Sequence, residues 1–235
     1  MNRSVKFGLA ALAVATTLSI RAAEEAEDEG AIGWTPIALG IASPVQLPWG
    51  LARWDVFGID INLLYSDAPK MYGLGVGGLA MTTRDDMCGL VVGGLCNFAC
   101  KNTYGLRATA GANICLGEGY GVDIGSFAYR KEFWGVDVEL LGTFQDEVHG
   151  MQVALLGNFS REMSYGWTVA GIGNYASKAY GCQTALLFNA TQELHGAQIA
   201  LVNYAQECPW GFQIGLINLI MDNSWKVLPF VNGYF

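Results

Sequence analysis

Asp137 and Glu139 form the acidic pair in this chain whose spacing best suits acid–base chemistry. They lie two positions apart, so both carboxylates would point to the same side of an extended strand. Such a pair can act as general acid and general base when the two pKa values are separated. It can equally line a solvated channel. We favour the second interpretation and predict no catalytic residue.

The two histidines, His149 and His195, each stand immediately before a glycine, at a position that is usually aromatic elsewhere in the chain. A nucleophile–base pair would need a histidine on the polar side of a strand, and none is placed there. A metal site would require side chains from different segments to converge. We therefore predict amphipathic rings at an interface, and no metal site.

The segment Gly73-Leu-Gly-Val-Gly-Gly78 matches the glycine pattern of dinucleotide-binding loops. In those loops the pyrophosphate sits at the N-terminus of a helix that follows the glycines. Here the glycines lie within a strand pattern, and no helix pattern follows them. We predict no cofactor.

The chemistry of the six cysteines depends on how the segments that carry them are arranged. In an exported chain they suggest disulfides. If residues 89–98 and 104–114 formed an antiparallel hairpin, Cys88 would lie opposite Cys115, which makes these two a possible disulfide. If the segments formed parallel coils instead, Cys88 would lie beside Tyr104.

The elements that position these residues are set by a repeat. Eleven glycines recur 14 to 16 residues apart, and the residue before each is usually aromatic. A short period held this long indicates a repeat architecture. The glycines are Gly58, Gly73, Gly89, Gly105, Gly121, Gly135, Gly150, Gly166, Gly181, Gly196 and Gly211.

Each repeat alternates with a period of two, which predicts a strand with two unlike sides. Counting the glycine as position one, positions two, four and six are apolar almost throughout. Positions three and five are small or polar. If the polar side faces a lumen, its possible lining residues are Asp60, Arg107, Asp123, Asp137, Glu139, Gln152, Gln183, Gln198 and Gln213. Polar stretches such as Arg130-Lys131-Glu132 and Gln145-Asp146-Glu147 are typical of turns.

Two all-β architectures fit this pattern. The favoured one is an antiparallel transmembrane β-barrel of about 12 strands, with the apolar side toward lipid and aromatic residues near both strand ends. The terminal Phe235 on an amphipathic last strand would then act as an assembly signal. The alternative is a β-solenoid of about 11 coils, each one repeat long, with the apolar side as its core.

The barrel predicts a non-enzymatic bacterial outer-membrane protein, either a passive pore or a structural surface protein. Its partners would be the lipid bilayer and the outer-membrane assembly machinery, and an acidic pore would favour cations. The alternative is a secreted or surface-attached solenoid that binds a partner or a polysaccharide through its polar strand side. No solute, protein ligand or glycan is indicated by the residues.

The N-terminal residues predict export. Residues 1–23 have the basic start, the short apolar run and the small residues of a signal peptide. Its removal takes away Arg3, Lys6 and Arg21 and no acidic residue, so the net charge would move from −8 to about −11. Such an acidic chain is a poor ligand for nucleic acid. An acidic linker, 24–33, then leads into one repeat domain, 34–235, with repeats over 57–218 and a closing strand over 225–235.

The units His195-Gly-Ala-Gln-Ile-Ala-Leu-Val-Asn203 and Trp210-Gly-Phe-Gln-Ile-Gly-Leu-Ile-Asn218 resemble a known repeat. They are similar to the Gly-Leu-Gln-Ile-Gly-Leu-Val-Asn units of bacterial "surface repeat" proteins, as is the ending Leu228–Phe235. The repeats between Tyr104 and Phe144 depart from it, with Arg or Asp where Gln is usual. The resemblance covers most of residues 34–235. It implies an exported, surface-associated bacterial protein and no particular reaction.

Overall fold

The computed structural model describes residues 31–42, 45–50 and 53–234. The predicted signal peptide, most of the predicted acidic linker and Phe235 lie outside the described residues. The fold is all-β, as predicted, and the described part of the chain contains no helix. It therefore offers no helix with the length and apolarity needed to cross a membrane. The chain divides into two compact units, with the boundary between Glu118 and Gly119 in the sequence.

The first unit is built from short strands that stack in two parallel columns. One column runs through the first part of β3, then β4, β6 and β8, and the other through the last part of β3, then β5, β7 and β9. The strands are β1 (Gly33–Ala42), β2 (Val45–Leu47), β3 (Trp54–Ala68), β4 (Met71–Gly77), β5 (Ala80–Thr83), β6 (Met87–Gly93), β7 (Cys96–Ala99), β8 (Thr103–Thr109) and β9 (Ala112–Cys115).

In the second unit the strands are longer and stack repeat upon repeat. β10 pairs with β11, β11 with β12, β12 with β13 and β13 with β14, all in parallel. β15 then closes the stack with an antiparallel pairing to β14. The strands are β10 (Glu118–Ala154), β11 (Gly157–Ala170), β12 (Gly173–Ala185), β13 (Phe188–Ile199), β14 (Val202–Ile220) and β15 (Val227–Gly233).

The predicted β-barrel is therefore wrong, and each unit is a β-solenoid, with about 10 coils among the described residues. Successive repeats run in the same direction and align glycine on glycine, as Gly150, Gly166 and Gly181 do. One repeat completes a full coil, so no hairpin reverses the chain between repeats. Residues before the first repeat glycine extend the stack, because β1 pairs in parallel with β3.

The predicted turns also need correction. Arg130–Glu132 and Gln145–Glu147 lie inside β10, and the equivalent stretches of later repeats lie inside β11 and β13. The chain bends there at irregularities in the register, for example between Gln145 and Glu147. The strands break instead at the apolar positions six and seven, such as Leu155 and Leu156. A strand that bends at a bulge keeps its hydrogen-bonded ladder while it turns a corner.

The repeat glycine exists because two coils approach closely at that position. Gly181 has a φ of +126°, and a Cβ on it would lie 2.2 Å from the carbonyl oxygen of Gly166. Residues other than glycine rarely adopt that backbone conformation. The same contact recurs from coil to coil, which explains why the glycine recurs at one fixed position in the sequence.

Candidate functional site

The side chains predicted to line a lumen are buried inside the coils. In a solenoid, the strands on opposite sides of one coil face each other, so positions three and five point into the interior. All nine side chains are buried and form part of the core, which corrects their assignment as the lining of a barrel lumen: Asp60, Arg107, Asp123, Asp137, Glu139, Gln152, Gln183, Gln198 and Gln213.

Three of the buried glutamines are joined by a ladder that runs along the stack. In the second unit, Gln198 donates to Gln183 Oε1 at 2.8 Å, and Gln213 donates to Gln198 Oε1 at 2.8 Å. An amide side chain both donates and accepts, so identical residues in register can bond to one another indefinitely. The interior therefore tolerates polar residues because each coil supplies partners for the next.

A second ladder consists of the asparagines that begin the return strand of each coil. Asn174 donates to Asn189 Oδ1 at 2.9 Å, and Asn189 donates to Asn203 Oδ1 at 3.1 Å. Each also donates to a main-chain carbonyl, as Asn189 does to Ile199 at 3.1 Å. These bonds hold the corner at which the chain turns from one side of the coil to the other.

Charged groups are also buried in the second unit. Arg130 contacts Asp123 at 2.5 Å and Asp137 at 3.5 Å, and its guanidinium lies 4.1 Å from the ring centre of Phe133. Gln145 donates to Asp137 at 2.6 Å. A buried charge persists only when it is paired and hydrogen-bonded. Asp137 thus belongs to a buried ionic cluster, and Glu139 is buried as well, so neither carboxylate is exposed to solvent.

Burial raises the pKa of Asp60 to about 6, because its carboxylate loses hydration in the core of the first unit. Hydrogen bonds from Ser66 and Asn62, each at 2.5 Å, oppose this effect. The folded state consequently keeps a proton that the unfolded chain releases nearer pH 4. The charged form of Asp60 is tolerated in the fold but costs stability.

We expect Asp60→Asn to flatten the dependence of stability on pH between about 4 and 6. Because the folded pKa is the higher one, wild-type stability falls as pH rises through that window, by at most about 3 kcal/mol. Urea unfolding of wild type and variant at pH 4, 5, 6 and 7 measures the effect. Parallel stability profiles for the two proteins would contradict the assignment.

The six cysteines are all free thiols. Cys88 lies beside Tyr104 in the register of β6 and β8, as expected for parallel coils. Cys115 pairs instead with Ala99. The possible Cys88–Cys115 disulfide is therefore wrong, since it depended on an antiparallel hairpin.

The outward side of the second unit is its most unusual surface, because it is apolar. Positions two, four, six and seven of each repeat point outward, and none of them is charged. We call this surface the apolar face. Its exposed members are Ile124, Phe127, Val136, Val138, Leu140, Leu141, Leu155, Leu156, Trp167, Ile172, Leu186, Leu187, Ile199, Leu201, Val202, Phe212, Ile214, Leu216 and Ile217.

A row of aromatic rings borders the apolar face. Tyr165 and Tyr180 stack with their centroids 4.6 Å apart, and the neighbouring rings continue the stack. We call this set the aromatic row, which consists of Tyr120, Trp134, His149, Tyr165, Tyr180, His195 and Trp210. The two histidines occupy the aromatic position as predicted, with His149 between Trp134 and Tyr165.

The charged residues of the coils form a third strip, just before the aromatic row along each strand. We call it the charged corner: Lys131, Glu132, Asp146, Glu147, Arg161, Glu162, Lys178, Glu193 and Glu207. The pKa of Glu193 lies below its ordinary value because His195 and then Lys178 hydrogen-bond to it. Each strand thus passes from charged to aromatic to apolar side chains on its outer surface.

The parallel stacking also brings together three side chains for which the sequence predicted no contact. Glu132, Glu147 and His149 have ligand atoms that all lie within 4.8 Å of one another. Glu132 and Glu147 both stand three residues before a repeat glycine. That shared position was the available signal. An antiparallel barrel would separate these side chains, so the shared position predicts a cluster only when the strands are parallel.

Comparisons with protein-family models, with curated proteins and with solved structures found no match to this chain. The resemblance to "surface repeat" proteins stays a prediction. The apolar face, the aromatic row and the charged corner are the surface features that can indicate a function.

Proposed function

We propose that this chain is an exported, non-enzymatic β-solenoid of the bacterial cell surface or outer membrane, which attaches to a lipid bilayer through the apolar face. The attachment is peripheral: the face lies against the hydrocarbon boundary while the coils remain outside it. The observation that carries the proposal is an outward, uncharged apolar surface on a protein whose interior contains many buried polar side chains.

The size and continuity of the apolar face support this role. Soluble proteins rarely expose large contiguous apolar patches, and those that do use them for interaction with membranes or other proteins. Here the exposed side chains repeat from coil to coil without an intervening charge. Leu186, for example, is 67% exposed, although leucine is ordinarily buried.

The order of side chains across each strand favours lipid over a protein partner. Tyrosine and tryptophan concentrate where hydrocarbon meets headgroups, because one end of each ring system is apolar and the other polar. The aromatic row stands between the apolar face and the charged corner, as that boundary requires. An interface with a second protein would not need this order.

The charged corner argues against recruitment by electrostatics. It contains six acidic and three basic side chains, so it does not attract anionic headgroups. Hydrophobic insertion would supply the binding energy. Binding of a polysaccharide through the polar strand side is not supported, since that side is the buried interior.

The test is flotation of the mature chain with phosphatidylcholine vesicles. We expect it to float with them, and to do so no better when anionic lipid is added. Replacing Leu155, Leu186 and Leu216 together with Glu should reduce bound protein at least about tenfold, because each charge would enter the apolar boundary. These side chains are 59%, 67% and 58% exposed, so the fold should survive the substitutions.

Trp225→Glu is the matched control, because Trp225 is 70% exposed but lies outside the apolar face. It should float as wild type does. A wild-type protein that stays with the aqueous fraction would refute the proposal. So would equal losses in the triple variant and the control. A stable dimer formed without vesicles, and abolished by the triple variant, would assign the apolar face to a second copy of the chain instead.

A further inference from the structure

Three side chains of the second unit converge at the charged corner in a way that the fold does not require. The imidazole Nε2 of His149 lies 3.9 Å from Glu132 Oε1 and 3.8 Å from Glu147 Oε2. No Lys or Arg in the described part of the chain lies within 4 Å of either carboxylate. Two carboxylates are therefore held together with only an imidazole between them.

We propose that Glu132, Glu147 and His149 bind one divalent transition-metal ion, with Zn²⁺ the best match. Zinc accepts imidazole nitrogen and carboxylate oxygen together, whereas Ca²⁺ and Mg²⁺ prefer oxygen ligands throughout. Three protein ligands leave a fourth position for water or for a group from another molecule. The inference is independent of lipid binding.

The spacing of the three ligand atoms fits an ion at their centre. Zinc bonds of about 2.0–2.2 Å place two tetrahedral ligands roughly 3.4 Å apart. The two observed distances of 3.8 and 3.9 Å exceed those of a direct hydrogen bond and approach this value. Small side-chain rotations would complete the set.

Neighbouring side chains hold two of the three ligands in place. Trp134 donates its indole N–H to Glu132 Oε1 at 2.8 Å. The imidazole of His149 is stacked between Trp134, at 3.8 Å between centroids, and Tyr165, at 4.8 Å. Groups that orient a ligand without touching the ion are a regular part of metal sites.

The same chain contains an internal comparison. Glu193 and His195 occupy the same repeat positions as Glu147 and His149, but Lys178 stands where Glu132 would be. There the groups contact directly: His195 Nε2 lies 2.7 Å and Lys178 Nζ 2.9 Å from Glu193. An ammonium group fills that corner, whereas the site at His149 has none.

The experiment is titration of the full mature chain with Zn²⁺ by isothermal calorimetry, with Co²⁺ absorption as a second probe of coordination. We expect one Zn²⁺ per chain, with a dissociation constant on the order of micromolar. His149→Phe keeps a ring in the aromatic row and should weaken binding at least about tenfold. His195→Phe, the matched control, should leave binding unchanged.

Lys178→Glu provides a gain-of-function test, because it places a second carboxylate beside Glu193 and His195. We expect that variant to bind a second Zn²⁺. Failure of the wild type to bind Zn²⁺ at concentrations up to about 1 mM would overturn the inference. Equal losses in His149→Phe and His195→Phe would also overturn it. Circular dichroism of each variant establishes that the coils are intact. Because zinc binding is measured without vesicles, its outcome does not depend on whether the chain binds lipid.

Discussion

Gly181→Ala is expected to destabilise this protein severely, as would the same substitution at other repeat glycines. The φ of Gly181, +126°, is strained for any side chain, and the new Cβ would lie 2.2 Å from the carbonyl oxygen of Gly166. Because that oxygen belongs to the backbone of the neighbouring coil, relief requires the two coils to separate. We expect a loss of at least about 4 kcal/mol in the free energy of unfolding, or failure to fold.

The control for this prediction is Gly50→Ala. Gly50 also has a positive φ, +74°, but nothing lies within 4 Å of the position its Cβ would take. Only the conformational cost remains, about 1 kcal/mol. Urea unfolding followed by circular dichroism compares the two variants. A Gly181→Ala protein as stable as Gly50→Ala would show that the coils are not in contact at the repeat glycine.

Asn189→Ala is expected to cost nearly as much, although it replaces a polar side chain with an apolar one in the core. Asn189 accepts from Asn174 at 2.9 Å and donates to Asn203 at 3.1 Å. The same Nδ2 also lies 3.1 Å from the main-chain oxygens of Gln183 and Ile199, so its two hydrogens are shared among three acceptors. The substitution breaks the ladder and leaves buried partners unsatisfied, so we expect a loss of about 3–5 kcal/mol.

Leu187→Asn is the reciprocal control, because it replaces an apolar side chain with a polar one. Leu187 lies two residues before Asn189, on the outer side of the coil. Leu187 is 47% exposed and belongs to the apolar face. In the absence of lipid, this substitution should change stability by no more than about 1 kcal/mol. Thermal and urea unfolding of both variants in detergent-free buffer gives the comparison. If Leu187→Asn proved the more damaging, the apolar side would be the core after all.

Much of the local structure was predictable, because the alternation of residue types along each strand distinguishes its two sides. The alternation around Gln183 and Gln198 predicted strands with a polar and an apolar side, and both residues lie in strands with the polar side set apart. The alternative solenoid had the right architecture but the wrong interior. It placed the apolar side in the core, whereas the barrel hypothesis correctly placed that side outward.

The candidate sites were less predictable, since they depend on which repeats are neighbours and in what direction. His149 was assigned to its aromatic position from the sequence, but its approach to Glu132 requires parallel coils. Cys88 and Cys115 were paired on the opposite assumption, and the register puts Cys88 beside Tyr104. The wrong strand direction therefore led to one missed cluster, at His149, and one wrong disulfide, Cys88–Cys115.

The sequence by itself determined an all-β repeat protein with one uncharged apolar side, because a period of two and a repeat of about 15 residues are written in residue types. Only the tertiary structure decided that the repeats run parallel and that the polar side faces inward. Alternation is identical in parallel and antiparallel strands, so it cannot report the direction of a neighbour. The repeats run parallel because bulges at the charged corner let one repeat close a complete coil. Polar side chains can then face inward because amide ladders between the coils stabilise them there.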